Sequence, residues 1–195
     1  MRQLGLFTTA AGPTILIGDR GDVRYLPGFL ERAAARELFD ELQRSTSWRA
    51  DSRIMYGRRV LVPRETASRG EGCAQPWSPA LLRTRSLIEA HLGTAFDYVF
   101  INRYRNGNDS VAWHNDDDAE SNPRRVIASL SLGATRTFEL RPLRASGLNH
   151  KKIAVELADG DLVVMQGATQ LNYEHRIPKE PRIAGERINL TFRQR

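Results

Sequence analysis

From Gly93 onward the hydrophobic pattern changes period, and that change limits what the chain can build. Seven segments then follow: Phe96–Tyr104, Arg125–Leu132, Thr135–Arg141, Lys152–Leu157, Asp161–Gln166, Leu171–Ile177 and Glu186–Gln194. Each is short and rich in β-branched, aromatic or alternating apolar residues, and Gly, Pro, Asn and Asp fill the gaps. No helical period alternates with them, so a parallel sheet built from βα units is not expected.

The first half reads differently. Thr14–Ile17 and Val23–Leu26 are two short apolar pieces split by Gly18-Asp19-Arg20-Gly21. Leu30, Ala34, Leu38 and Leu42 recur at spacing four, the mark of an amphipathic helix. Residues 53–63 mix apolar and basic side chains around Tyr56-Gly57 and read as a basic hairpin stopped by Pro63. Residues 64–79 hold Gly70, Gly72, Pro76 and Pro79 without periodicity and read as a loop. Ser78-Pro79 is a cap and first position for a second helix through Leu81, Ile88 and Leu92, which Gly93 ends. Helices followed by a run of strands make the class α+β, with antiparallel sheets folded as a sandwich or jelly roll. There is no internal repeat, and 64–79 is too functional-looking a loop to be a linker, so one domain is expected.

Composition narrows the function classes. The single cysteine, Cys73, excludes a disulfide framework and an all-cysteine zinc site. No apolar run reaches the ~20 residues of a membrane helix, and the N-terminus lacks a signal-peptide core, so a soluble, cytoplasmic protein without membrane association is expected. The net charge is +6, and only three of the 29 cations are Lys. Codon bias explains such a skew; so does a phosphate-bearing partner, which Arg grips bidentately.

Four histidines are present. His91 ends the second helix, and His150 stands beside Lys151-Lys152. His114 opens His114-Asn115-Asp116. On an extended backbone residues i and i+2 point the same way, so His114 and Asp116 can share a metal. A second histidine from another strand would complete two His and one carboxylate on one face, a set suited to iron(II) with open positions for oxygen chemistry. His175 is the downstream candidate. An acidic surface turn at Asp116-Asp117-Asp118 is the plainer reading of the same residues.

The C-terminus adds weight. Arg187, Asn189, Thr191 and Arg193 fall on one face of a strand, and Ile188, Leu190 and Phe192 fall on the other. The polar face is either wetted by solvent or, with two guanidiniums and an amide, a dicarboxylate site.

Residues Phe100 to Arg193 resemble the AlkB branch of the iron(II)- and 2-oxoglutarate-dependent dioxygenases, closest to the homologues acting on duplex DNA. The resemblance rests on Asn102-Arg103-Tyr104, His114-Asn115-Asp116, Asp118, Ser129-Leu130-Ser131-Leu132-Gly133, His175 and Arg187-x-Asn189-x-Thr191-x-Arg193. Weaker similarity runs upstream through Tyr56-Gly57-Arg58-Arg59 and Val62-Pro63-Arg64. It implies a double-stranded β-helix (jelly-roll) core over 96–195, with an N-terminal extension, 1–95, bearing helices, hairpin and lid. It implies that His114, Asp116 and His175 hold Fe(II). Arg187, helped by Tyr104, would take the distal carboxylate of 2-oxoglutarate. Asn102, Asn189 and Arg193 would line the rest of that site, and Ser129 and Thr191 would form small polar walls. O2 is the further co-substrate. Asp118 matches a position that faces the base and would favour a cationic alkylated one.

The implied reaction is oxidative demethylation of N-alkylated bases such as 1-methyladenine or 3-methylcytosine in DNA, by a monomer. The target atom lies on the pairing edge, so the base must flip out. The stretch 49–69 carries six Arg against Asp51 and Glu65. Arg58, Arg59 and Arg64 are expected on phosphates, and Tyr56 stands where relatives insert a side chain in place of the base. The lid departs from the family: Glu65–Ser78 lacks the usual aromatic pair, and Trp77 either substitutes for it or packs in the core or the loop. The altered lid keeps two alternatives open: methylated RNA or a protein as substrate. A nucleic-acid-binding protein without catalysis is the third reading, motivated by charge.

Overall fold

The computed structural model describes residues 12–55, 58–70, 72–116, 125–149 and 151–194, with side chains throughout except at 51, 53–55 and 58–61. Tyr56, Asp118 and His150 therefore lie outside the described residues, and Arg58 and Arg59 are described by backbone alone.

Twelve strands form two antiparallel sheets among the described residues. The strands are β1 (Thr14–Ile17), β2 (Asp22–Leu26), β3 (Arg49–Met55), β4 (Arg58–Gly70), β5 (Tyr98–Tyr104), β6 (Val111–His114), β7 (Ile127–Gly133), β8 (Arg136–Pro142), β9 (Ile153–Leu157), β10 (Leu162–Gln166), β11 (Tyr173–Ile177) and β12 (Arg187–Arg193). The major sheet runs β1-β2-β10-β7-β12-β5-β4-β3 and the minor sheet β6-β11-β8-β9.

Each face of the major sheet has its own core. One face carries Val99, Ile101, Leu130, Leu132, Ile188, Leu190 and Phe192 against helices α1 (Arg32–Ser45) and α2 (Pro79–Leu92). Leu38, Leu42, Leu81 and Ile88 supply the helical side, all buried to 1% exposure or less. Truncating any one of them costs ~2–5 kcal/mol, because a packed core closes only partly over a hole. The other face meets the minor sheet through Tyr104, Ile127, Val163, Phe138, Leu140, Leu157 and Ile177. Period-two alternation thus lets β12 serve two cores, one apolar and one polar.

Local chemistry sets the element ends. The Ser78 hydroxyl accepts from the Leu81 N–H, with Pro79 in the first helical turn, and Gly93 closes α2 at φ 64°. Among the described residues no helix is long and apolar enough to cross a membrane.

The sequence reading misplaced three segments. Residues 64–70 are strand, not loop, and Pro63 does not stop β4. The β3–β4 register slips between Ala50 and Ser52, opposite the Pro63 region, so the proline's missing N–H falls at an irregularity in the ladder. Beyond it, Glu65–Gly70 pairs with Arg103–Tyr98 on β5. The four-residue β6 was not recognised, being too short to alternate. Leu171 and Asn172 belong not to a strand but to a short helix, α3 (Thr169–Asn172), before β11.

Candidate metal centre and dicarboxylate pocket

Strand pairing assembles the metal-ligating set. His175 on β11 lies opposite His114 at the end of β6, and Asp116 follows two residues on. One ligand atom from each of the three falls within 4.8 Å of the others. Nδ1 of His114 lies 2.9 Å from the Ala112 carbonyl. Donation there leaves Nε2 free to ligate, 4.0 Å from Asp116 Oδ1. Nε2 of His175 lies 3.7 Å from Asp116 Oδ2.

Electrostatics prepares these groups for a cation. Burial pushes His175 down from 6.5 to about 4, and His114 and Arg193 act in the same sense against Asp116, so the imidazole is neutral at physiological pH. Burial alone would raise Asp116, but His175, Arg193, His114 and Arg125 outweigh it and hold the carboxyl below its usual range. A neutral imidazole at His175 and an ionised carboxylate at Asp116 are protonation states a divalent metal requires.

The polar face of β12 continues from this centre. Its register places Arg187 beside Tyr104, Asn189 between Asn102 and Ser131, and Thr191 between Phe100 and Ser129. A cavity of about 240 Å³ is lined by His114, Asp116, His175, Asn102, Tyr104, Ser129, Arg187, Asn189, Thr191 and Arg193, so every residue expected for metal or co-substrate meets in one space. The β12 polar face is buried between the sheets, which excludes a solvent-wetted strand edge.

Arg187 is the informative member. It is 1% exposed, and its Nη2 donates to Ser131 Oγ at 2.8 Å. Its Nε and Nη1 meet no acceptor among the described residues. Its guanidinium carbon lies 5.3 Å from the centroid of the Tyr104 ring. Burial pushes it down to about 10, with Arg136 adding to the fall and Tyr104 opposing it. Nature rarely leaves a buried guanidinium without an anion, because an unpaired buried charge costs several kcal/mol. These free donors suit a carboxylate, so the donor set fits a dicarboxylate ligand as the triad fits a metal. Asn102 Oδ1 and Arg193 Nε are likewise buried without hydrogen-bond partners among the described residues.

Two expected substrate residues sit elsewhere than the sequence placed them. Trp77 stacks on Phe192 with centroids 6.4 Å apart, under the Arg85 guanidinium, and packs against the helix-side core instead of lining the cavity. Its position between the major sheet and α2 follows from Ser78-Pro79 starting that helix immediately after it. Arg64 lines the cavity, with a buried, unpartnered Nε, where the sequence reading put it on a phosphate beside Arg58 and Arg59.

Sequence reasoning missed Ser131, Gln170 and Arg125. Ser131 was legible as the i+2 neighbour of Ser129 on β7. Gln170 donates nothing to a periodic pattern because α3 is a single turn. Arg125, whose Nη2 reaches the Asp116 carbonyl at 2.7 Å, carries no signature beyond its charge.

Comparison with known proteins gives a consistent picture. The family model described as "2OG-Fe(II) oxygenase superfamily" matches residues 22–193. The alpha-ketoglutarate-dependent dioxygenase alkB homolog 3 of Bos taurus is 38% identical over 182 residues, covering 86% of this chain and 64% of the relative. The DNA oxidative demethylase ALKBH2 of Homo sapiens is 33% identical over 181 residues, covering 84% of this chain and 69% of the relative. This chain thus spans somewhat less than two thirds of the length of the bovine protein. Among solved structures, OsALKBH1 superposes with a TM-score of 0.65 at 17% identity, over 89% of this chain and 96% of that one. A Pseudomonas putida prolyl-4-hydroxylase superposes at 0.60 and 18%, over 89% and 92%. These structures share the jelly-roll fold seen here.

Proposed function

This chain belongs to the 2OG-Fe(II) oxygenase superfamily, and from that premise we propose that it is an Fe(II)- and 2-oxoglutarate-dependent dioxygenase that removes N-alkyl groups from nucleic-acid bases, with DNA as the substrate. The observation that carries the reading is the shared cavity: the His114, Asp116 and His175 ligand set opens onto the same space as the unsatisfied donors of Arg187. The substrate class is supported by the relatives, two of whose names are those of an alkB homolog and a DNA oxidative demethylase.

When bound, iron(II) with 2-oxoglutarate supplies from O2 the oxidation that hydroxylates an N-alkyl carbon, the co-substrate leaving as succinate and CO2. The protein's residues do the positioning. Arg187, oriented by its bond to Ser131, would hold one carboxylate end, and the Tyr104 ring would limit its movement. Asn102, Asn189 and Thr191 line the path toward the metal ligands. Arg193, already bonded to Asp116 Oδ1 at 3.0 Å, adds positive charge at the other end. The inter-sheet burial keeps bulk water from this path, so each charge acts in a low dielectric. The N-alkylated base is a flipped nucleotide entering from the His114 side, where the ligand is 34% exposed, whereas His175 is 9% exposed.

The test is a substrate panel. Oligonucleotides bearing 1-methyladenine or 3-methylcytosine are offered as duplex DNA, single-stranded DNA and RNA, with formaldehyde as the readout. Turnover on DNA above RNA is expected. Turnover confined to RNA would move the assignment to that polymer, and none on any oligonucleotide would remove nucleic acid as the substrate.

A further inference from the structure

Asp116 is held by three groups of the chain, Arg193, Arg125 and Gln170, besides the two histidines of the ligand set. Its carboxylate faces Arg193 and His175, and its carbonyl accepts from Arg125. Its backbone N–H donates to Gln170 Oε1 at 2.8 Å. Gln170 is 2% exposed and does not line the cavity. It grips the preceding residue too, since the Gln170 carbonyl accepts from Asn115 Nδ2 at 3.1 Å. Its own amide nitrogen reaches Met165 Sδ at 3.7 Å, a weak acceptor.

The placement explains why a glutamine suits the position. Asp116 lies beyond the end of β6, so no ladder bond fixes its backbone. Gln170 stands on α3, five residues before His175 on the next strand. It therefore ties the carboxylate ligand to the segment that delivers the second histidine. An apolar side chain here would leave the part-buried Asp116 N–H without this acceptor.

We propose that Gln170 is a positioning residue that fixes Asp116 for metal binding by accepting its backbone N–H. It touches neither metal nor co-substrate and acts through Asp116. The proposal rests on the metal-site reading above, and the experiment separates the two.

Mn(II) affinity is measured by calorimetry on the full chain, beside metal-free melting and the KM and kcat for 2-oxoglutarate. Wild-type protein that fails to bind Mn(II) overturns the metal-site reading and this proposal with it. With wild-type binding in hand, Gln170→Met keeps the side chain's length and leaves only a weak thioether acceptor in place of the amide oxygen. It should weaken Mn(II) binding about 10-fold or more, as loss of an outer-sphere partner typically does. The KM for 2-oxoglutarate at saturating metal should stay near wild type. Gln170→Glu restores an oxygen at the same reach and should return the affinity to within about threefold of wild type. Wild-type affinity in Gln170→Met, or equal losses in Met and Glu variants, overturns the proposal. If Gln170→Met does not fold, Gln170→Asn decides, because it withdraws the acceptor by one methylene. Weakened binding supports the proposal and unchanged binding overturns it.

Discussion

Replacing Arg187 with Met should have two opposite effects. In the free protein the guanidinium is 1% exposed and faces the Tyr104 ring, with one hydrogen bond to Ser131 and two nitrogens, Nε and Nη1, that find no hydrogen-bond acceptor among the described residues. Bonds to charged partners are worth ~1.5–3 kcal/mol each, so the two free nitrogens offer a carboxylate ~3–6 kcal/mol. At one decade per ~1.4 kcal/mol, Arg187→Met should weaken 2-oxoglutarate binding by ~10²–10⁴-fold. The same change removes an unpaired buried charge, so the ligand-free variant should melt at or above the wild-type temperature. Arg187→Lys should fall between, since a point charge cannot present two parallel donors. The assay is anaerobic titration of 2-oxoglutarate into Mn(II)-loaded protein, with melting curves with and without co-substrate. A variant that binds 2-oxoglutarate within about threefold of wild type would refute the reasoning, because it would mean that the two free nitrogens contribute under ~1 kcal/mol.

Three further outcomes follow from the same geometry. His175 falls from 6.5 unfolded to about 4 folded, so the unfolded chain takes up its proton first as pH drops. Metal-free stability should therefore decline from pH 6.5 toward 4 by about 3 kcal/mol, and His175→Gln should flatten that slope in pH-dependent melts. A Cβ at Gly107 would lie 1.8 Å from the Glu180 carbonyl oxygen, where Gly107 N–H and carbonyl already bond Ile183 and Glu180, so Gly107→Ala should lose ~3 kcal/mol in denaturant unfolding. Exchanging Arg58 and Arg59 for Gln should flatten the salt dependence of DNA binding by about one log–log unit per lost phosphate contact, read by anisotropy over a salt series.

The candidate metal-ligand set and the polar face beside it were legible because their residues sit on strict periods. His114 and Asp116 are i and i+2, and the β12 face repeats every second residue. What periodicity could not say is that this polar face would be buried between two sheets instead of wetted by solvent. Legibility failed where punctuation misled. Pro63 and Gly70 marked 64–70 as loop, yet Pro63 sits at a register slip and Gly70 ends a paired strand. For Trp77 the sequence leaves a lid role and a packing role open, and the helix it precedes draws it onto Phe192. Gln170 and Arg125 act through single long-range bonds to the backbone of Asp116, and such bonds leave no pattern along the chain.

The central claim is that one cavity couples consumption of 2-oxoglutarate to removal of an N-methyl group. Formaldehyde and succinate are therefore counted together in a single reaction on 1-methyladenine DNA with Fe(II). The account predicts equal yields of both products, and neither product in Asp116→Ala. Succinate formed at the same rate with and without the methylated strand, with no formaldehyde, would contradict it.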